Sequence, residues 1–93
     1  MRWKLFATLA ETAGDSELDV SVEVAEPTLR DALDALLAAH PALEDEILDE
    51  DGELYDHVRL LHEGTDPFHE AAGWETAVDP GDELALFPPV SGG

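Results

Sequence analysis

The chain has 93 residues, 44% of them hydrophobic, and its 23 Asp and Glu against 4 Lys and Arg give a net charge of −19. This balance excludes a nucleic-acid partner, because phosphate binding needs a basic surface. The absence of cysteine excludes disulfides, thiol catalysis and thiolate metal ligands. No apolar run approaches the roughly 20 residues that cross a bilayer, so we predict a single soluble, cytoplasmic domain with no membrane partner.

The acidic excess has two interpretations. It is typical of a protein adapted to concentrated salt, where the Debye length falls to about 3 Å at 1 M, and it is also found in acidic proteins of an ordinary cytosol. Lys4 is the only lysine, and so complete a replacement of lysine favours the halophilic interpretation.

Two strands are predicted first. Residues 2–8 place Trp3, Leu5 and Ala7 in one phase, and residues 17–24 alternate without a break between polar and apolar side chains. The apolar set of the second strand is Leu18, Val20, Val22 and Val24. Residues 9–16 are predicted to turn the chain, so that the two strands pair as an antiparallel hairpin.

A helix is predicted next, since five apolar residues fall three and four apart: Leu29, Ala32, Leu33, Leu36 and Leu37. Thr28 and Asp31 resemble a capping box, and Pro41 ends the helix at His40. Leu43 and Ile47 predict a short helical turn, followed by an acidic turn at 49–52.

The second half is predicted to return to the sheet. Residues 57–62 form a strand with Val58 and Leu60 in phase, 63–66 a turn, 67–73 an irregular segment and 74–78 a short strand. A turn at 79–82 leads to the last strand, 83–87, with Leu84 and Leu86 inward.

This order, β-β-α-β-(β)-β, indicates an α+β domain. The helix can bury its leucine stripe only against the hairpin, which favours a β-grasp: a mixed sheet covered on one face by one main helix, with the last strand beside the first in mid-sheet. We expect the β-grasp domain to span residues 1–87 and an extended tail to span 88–93.

The sequence of the tail, residues 88–93, predicts a reactive C-terminus. Pro88 and Pro89 hold an extended course that carries the end roughly 19 Å from the sheet at about 3.1 Å per residue. Gly92 and Gly93 have no Cβ and can enter a slot too narrow for side chains. A frayed end is the alternative, but a tail that is stiff beside the domain and free at its tip favours a reactive terminus.

A free carboxylate is a poor electrophile, and adenylylation by ATP would supply the leaving group. The acyl adenylate at Gly93 could then accept a sulfur nucleophile or a lysine amine. The catalytic groups would lie in a partner enzyme that consumes the ATP, so this chain is predicted to be a carrier or tag that is no enzyme and binds no cofactor.

The ending from Gly81 to Gly93, GDELALFPPVSGG, resembles the small archaeal ubiquitin-like modifier proteins and is similar to the sulfur-carrier subunit of molybdopterin synthase. The segments KLFA (4–7), DALDAL (31–36) and GELYDH (52–57) resemble the archaeal modifiers too. The similarity is lost at residues 65–74, where the segment is longer than the corresponding one in the family.

The resemblance implies activation of Gly93 by a ubiquitin-activating-type adenylyltransferase, with recognition of the tail residues Pro88, Pro89, Val90, Ser91 and Gly92. Two fates follow: isopeptide linkage to lysines of target proteins, or a thiocarboxylate that donates sulfur in molybdopterin biosynthesis with the large subunit of molybdopterin synthase. The alternative function is an acidic β-grasp interaction module without covalent chemistry.

Phe6 and Phe87 are out of phase with the inward residues of their strands, which predicts an exposed partner patch; the family resemblance supports this use. The alternative is cover by the 67–73 segment.

The four histidines, His40, His57, His62 and His69, are not predicted to bind metal. Lys4 is the only side-chain acceptor for self-conjugation, so we expect little chain formation.

Overall fold

The computed structural model describes residues 1–56 and 58–88. Its strands are β1 (Arg2–Leu5), β2 (Glu17–Asp19), β3 (Arg59–His62) and β4 (Glu83–Phe87). Its α-helices are α1 (Thr8–Ala13), α2 (Leu29–Ala39), α3 (Glu44–Ile47) and α4 (Pro67–Glu70), with 3-10 turns at Pro41–Leu43 and Gly73–Glu75. None of these helices is long and apolar enough to cross a bilayer.

The four strands form one mixed sheet in the order β2-β1-β4-β3. β1 and β4 run parallel in the middle, with Trp3 opposite Leu84 and Leu5 opposite Leu86, and β2 and β3 pair antiparallel at the edges. The predicted place of the last strand beside the first is therefore confirmed.

Helix α2 forms as its periodicity predicts. The Thr28 hydroxyl accepts a hydrogen bond from the Asp31 N–H, and the Asp31 carboxylate accepts one from the Thr28 N–H, so the capping box is complete. The helix ends at His40, before Pro41. Its stripe is buried, with Leu29 and Leu36 both at 0% exposure.

The core lies between this helical layer and one face of the sheet. Trp3, Leu84 and Leu86 are 0% exposed, and Leu5 and Leu60 are 2% exposed. One main helix thus covers one face of a mixed sheet, and the predicted α+β β-grasp is confirmed.

The predicted turn at residues 9–16 is wrong, because most of it is helix α1. The backbone breaks at Ala7, whose φ of 51° ends the strand, and Leu9 is then fully buried. Ala7 itself is exposed, not inward as its phase predicted. The helical turn lets Leu9 reach the core and packs Ala10 and Ala13 against it, partly buried.

The second strand is shorter than its alternation predicts. β2 ends at Asp19, opposite Arg2, since β1 offers only Met1 beyond that point, and the Met1 carbonyl accepts the Val20 N–H. Val20 is buried, but Val24 is 49% exposed. The apolar alternation continued past the end of the partner strand.

The segment between β3 and β4 also differs from expectation. Residues 67–70 form α4, started by the Asp66 side chain, which accepts the Phe68 N–H at 2.9 Å. The strand predicted at 74–78 is wrong: the chain makes a 3-10 turn and then one isolated bridge, between Ala77 and Thr28. The boundary at residues 87/88 between domain and tail stays a prediction.

Candidate functional site

The tail leaves from the centre of the sheet. β4 lies between β1 and β3, with Leu86 opposite Leu5 on one side and Leu60 on the other. All three side chains are buried, so the packing holds the end of β4 from both sides. The point from which Pro88 continues is therefore fixed by the core.

The predicted reactive end lies outside the described residues. Pro88 is half-buried, whereas Pro89, Val90, Ser91, Gly92 and Gly93 are not described. The roles assigned to these residues, and to Pro88 in tail recognition, stay predictions.

Phe6 and Phe87 lie side by side at the ends of the two parallel central strands. Their ring centroids are 4.3 Å apart and their planes differ by 9°, so the rings are stacked. Phe6 is 40% exposed and Phe87 is half-buried. The orientation away from the core is as predicted, and use of this pair as a partner patch stays a prediction.

The 67–73 segment does not cover this pair. Phe68 packs edge-on against Trp74, with centroids 5.1 Å apart, and the Arg30 guanidinium lies 4.4 Å from the centre of the Trp74 ring. The aromatic residues of the longer segment are thus engaged with each other and with helix α2. Phe6 is left open to solvent.

The outer face of the sheet also carries charged side chains, of which the sequence prediction singled out only Lys4. Strand alternation places Arg2 and Lys4 of β1 on this face, together with Arg59 of β3. The Lys4 ammonium lies 3.1 Å from the Glu83 carboxylate. The signal for Arg59 was available, since it lies between the inward residues Val58 and Leu60.

The two amines that could accept an acyl group are both engaged. The α-amino group of Met1 donates to the Val20 carbonyl at 3.1 Å and lies 3.4 Å from Asp19. Lys4 is the other, in its ion pair with Glu83. Both contacts oppose self-conjugation, and its scarcity stays a prediction.

The side chains of His62 and Asp82 form a polar pair at the other end of β4, away from the tail. His62 Nε2 is 2.6 Å from Asp82 Oδ2, which also accepts the Asp79 N–H at 2.9 Å. Partial burial raises the pKa of Asp82, but these hydrogen bonds and the charges of His62 and the N-terminus together hold it below its ordinary value.

Within residues 1–56 and 58–88 no three His, Asp or Glu side chains gather as metal ligands would; His57 is outside the described residues.

Comparisons with known proteins agree with this geometry. The ThiS family matches residues 3–93. Small archaeal modifier protein 1 of Haloferax volcanii is 56% identical over 93 residues, covering 100% of both chains. The crystal structure of SAMP1 from Haloferax volcanii has a TM-score of 0.81 at 53% identity, covering 100% of this chain and 98% of that one.

A solved structure of much lower sequence identity shares the fold. A chain in the crystal structure of the BexX/CysO complex from Amycolatopsis orientalis has a TM-score of 0.80, with coverage of 99% of this chain and 98% of that one. It is 19% identical, so this likeness shows the fold alone.

Proposed function

The chain belongs to the ThiS family, and from this premise we propose that it is a ubiquitin-like protein modifier and sulfur carrier that reacts at the C-terminal carboxyl group of Gly93. The observation that carries the proposal is the 56% identity to a small archaeal modifier protein over the full length of both chains. That match includes the tail, which is the part of the chain suited to the chemistry.

The proposed reaction has two steps. The Gly93 carboxylate attacks the α-phosphorus of ATP, forming an acyl adenylate as pyrophosphate leaves. A sulfur nucleophile or a lysine amine then attacks the carbonyl carbon, and AMP leaves with the bonding electrons. The amine route gives an isopeptide and releases a proton. On the sulfur route a thiolate gives a thioester, whereas hydrosulfide gives a thiocarboxylate and releases a proton.

The chain itself contributes position rather than catalysis. It contains no cysteine, so the transferred sulfur comes from elsewhere, and a ubiquitin-activating-type adenylyltransferase supplies the catalytic groups and consumes the ATP. The core-anchored end of β4 would present the tail to that enzyme while Phe6 and Phe87 dock beside its entrance. Gly92 and Gly93 would pass where side chains could not.

The partners follow from the two products. Isopeptide formation needs lysines of target proteins, and sulfur transfer needs an acceptor such as the large subunit of molybdopterin synthase. Both reactions would take place in the cytoplasm. The engaged amines at Met1 and Lys4 favour attachment of single copies over chains of this protein.

One other function is supported by a specific observation. The exposed stack of Phe6 and Phe87 is also what an acidic interaction module without covalent chemistry would present. Deleting Gly92-Gly93 separates the two, because it removes the reacting group and leaves the patch intact. We expect the deletion to abolish activation while the circular dichroism spectrum and melting temperature stay unchanged.

The direct test is mass spectrometry of tagged protein recovered from its native host. Trypsin is unsuitable, since no Lys or Arg follows Arg59, but cleavage after Glu83 releases the compact peptide 84–93. We expect that peptide linked to target lysines or carrying sulfur in place of one carboxyl oxygen. A terminus found only as free carboxylate, with the host's activating enzyme and ATP supplied, would leave the interaction module as the function.

A further inference from the structure

The outer sheet face differs in charge from the rest of the chain. Three of the four cations lie on it, and its strand positions carry three carboxylates: the charged set is Arg2, Lys4, Arg59, Glu17, Asp19 and Glu83. The formal charges of these six side chains therefore sum to zero, although the net charge of the whole chain is −19. A partner with an acidic surface meets the least repulsion here.

The two ends of this face are not alike. Asp19 and Glu83 both lie opposite Arg2, at the end where β1 and β4 begin. Arg59 lies opposite Phe87, at the end where the tail leaves. Phe87 lies four residue steps along the strand from Glu83, roughly 13 Å at about 3.3 Å per residue. On the sheet strands, Arg59 is thus the charged residue directly opposite Phe87, while Glu17 of β2 lines a cavity with Phe6 on the other side of the stack.

Arg59 is exposed and has no ion-pair partner among the described residues, in contrast to Lys4 with Glu83. Asp56 and Asp66 line a shallow cavity with it, yet neither forms an ion pair with it. Its guanidinium can therefore donate hydrogen bonds to a carboxylate of a partner without breaking an ion pair within the described residues.

An arginine beside two aromatic rings is the composition that dominates binding energy in protein interfaces. The charge also selects the partner. A basic partner would be drawn to the acidic surfaces, such as helix α3 with Glu44 and Asp45 exposed. A second copy packed face to face would bring a second net charge of −19 against this one, and that repulsion opposes self-association.

Resting on the function proposed above, we propose that Arg59, Phe6 and Phe87 form one docking surface, and that Arg59 pairs there with a carboxylate of the activating adenylyltransferase. The aromatic stack supplies apolar contact, and the arginine sets the orientation in which the tail enters. Arg59 is a positioning residue that takes no part in the chemistry at Gly93.

The test compares two charge reversals with the same change in net charge. Arg59→Glu alters the docking surface, and Arg30→Glu alters helix α2, where Arg30 contacts Trp74. Each full-length variant is titrated against the host's activating enzyme in ATP–pyrophosphate exchange, with thermal melts to verify folding. We expect Arg59→Glu to raise KM about tenfold or more with kcat unchanged, and Arg30→Glu to stay within about twofold of wild type. Arg59→Lys should recover most of the loss, since it restores the charge.

Each outcome is distinct. Equal KM values for Arg59→Glu and Arg30→Glu, with wild-type exchange intact, overturn the role of Arg59 and leave the proposed function standing. No exchange with wild-type protein refutes the proposed function and this inference with it. An Arg59-dependent dimer in sedimentation, with KM unaffected by Arg59→Glu, would show that the surface receives a second copy instead.

Discussion

Among single residues, Asp82 carries the clearest electrostatic consequence. Its side chain is 17% exposed and that of His62 is 18% exposed, so their contact of 2.6 Å is partly shielded from water. The carboxylate also accepts the Asp79 N–H, which closes the turn before β4. The pair thus ties this turn to β3 at the start of the strand that leads to the tail.

We predict that Asp82→Asn lowers the free energy of unfolding at neutral pH by about 1–2 kcal/mol. The pKa of Asp82 lies below its ordinary value of 3.8 in the folded chain. Its stabilisation is therefore present above that value and is lost as pH falls through the lowered pKa. The difference between wild type and variant, measured by urea unfolding, should shrink between about pH 5 and about pH 2.

The control for this prediction is Asp79→Asn, which removes one charge from the same turn but leaves the Asp79 N–H to donate. Its effect on unfolding should be small and nearly independent of pH. If the Asp82→Asn deficit stayed constant down to the acid limit, the ionised carboxylate would not be the stabilising group.

At the scale of elements, α2 depends on its first turn. The Thr28 hydroxyl satisfies the Asp31 N–H, and the Asp31 carboxylate lies 2.9 Å from the Thr28 nitrogen. The next N–H, of Leu29, donates to the Thr76 carbonyl. This cap therefore fixes both the start of the helix and its junction with the segment before β4.

We predict that Thr28→Ala costs about 1 kcal/mol of stability, the usual loss for a removed N-cap. Thr12→Ala is the matched control, because Thr12 lies exposed in α1 and forms no side-chain hydrogen bond within residues 1–56 and 58–88. Urea unfolding of the two variants should differ by that amount. Equal stabilities would show that the packing of Leu29 and Leu36 alone holds the helix.

The elements that the sequence predicted well are those with a long periodic pattern against the core. α2 buries five residues of its eleven, and β4 alternates over its whole length. α1 fully buries only Leu9, with the small Ala10 and Ala13 partly buried beside it, and α4 buries only Pro67. Their apolar patterns are therefore too short and too weak to predict a helix. Their helices are set by tertiary contacts and by the Asp66 cap.

The candidate site shows the same division. Phase alone predicted that Phe6 and Phe87 point away from the core. Their stacking depends on the parallel register that places Leu5 opposite Leu86. That register pairs strands from the two ends of the chain, and no local sequence pattern predicts it. Arg59 was equally visible by phase, but its relation to Phe87 comes only from the β3–β4 pairing.

At the scale of the whole molecule, the net charge of −19 opposes compaction. Four Lys and Arg cannot neutralise 23 carboxylates, so most acidic side chains face other acidic side chains across solvent. The Debye length is about 10 Å at about 0.1 M salt and falls to about 3 Å at 1 M. Repulsion between neighbouring carboxylates is then largely screened.

We therefore predict that the free energy of unfolding rises by at least about 1 kcal/mol between about 0.1 M and about 2 M NaCl, measured with urea because urea is uncharged. The control neutralises four exposed carboxylates whose side chains form no hydrogen bond or ion pair within residues 1–56 and 58–88: Glu11→Gln, Glu23→Gln, Glu26→Gln and Asp34→Asn. This variant should be more stable than wild type at low salt and gain less from added salt. Parallel salt dependences would show that NaCl acts through hydration and not through screening, and the acidic surface would then have no stabilising link to concentrated salt.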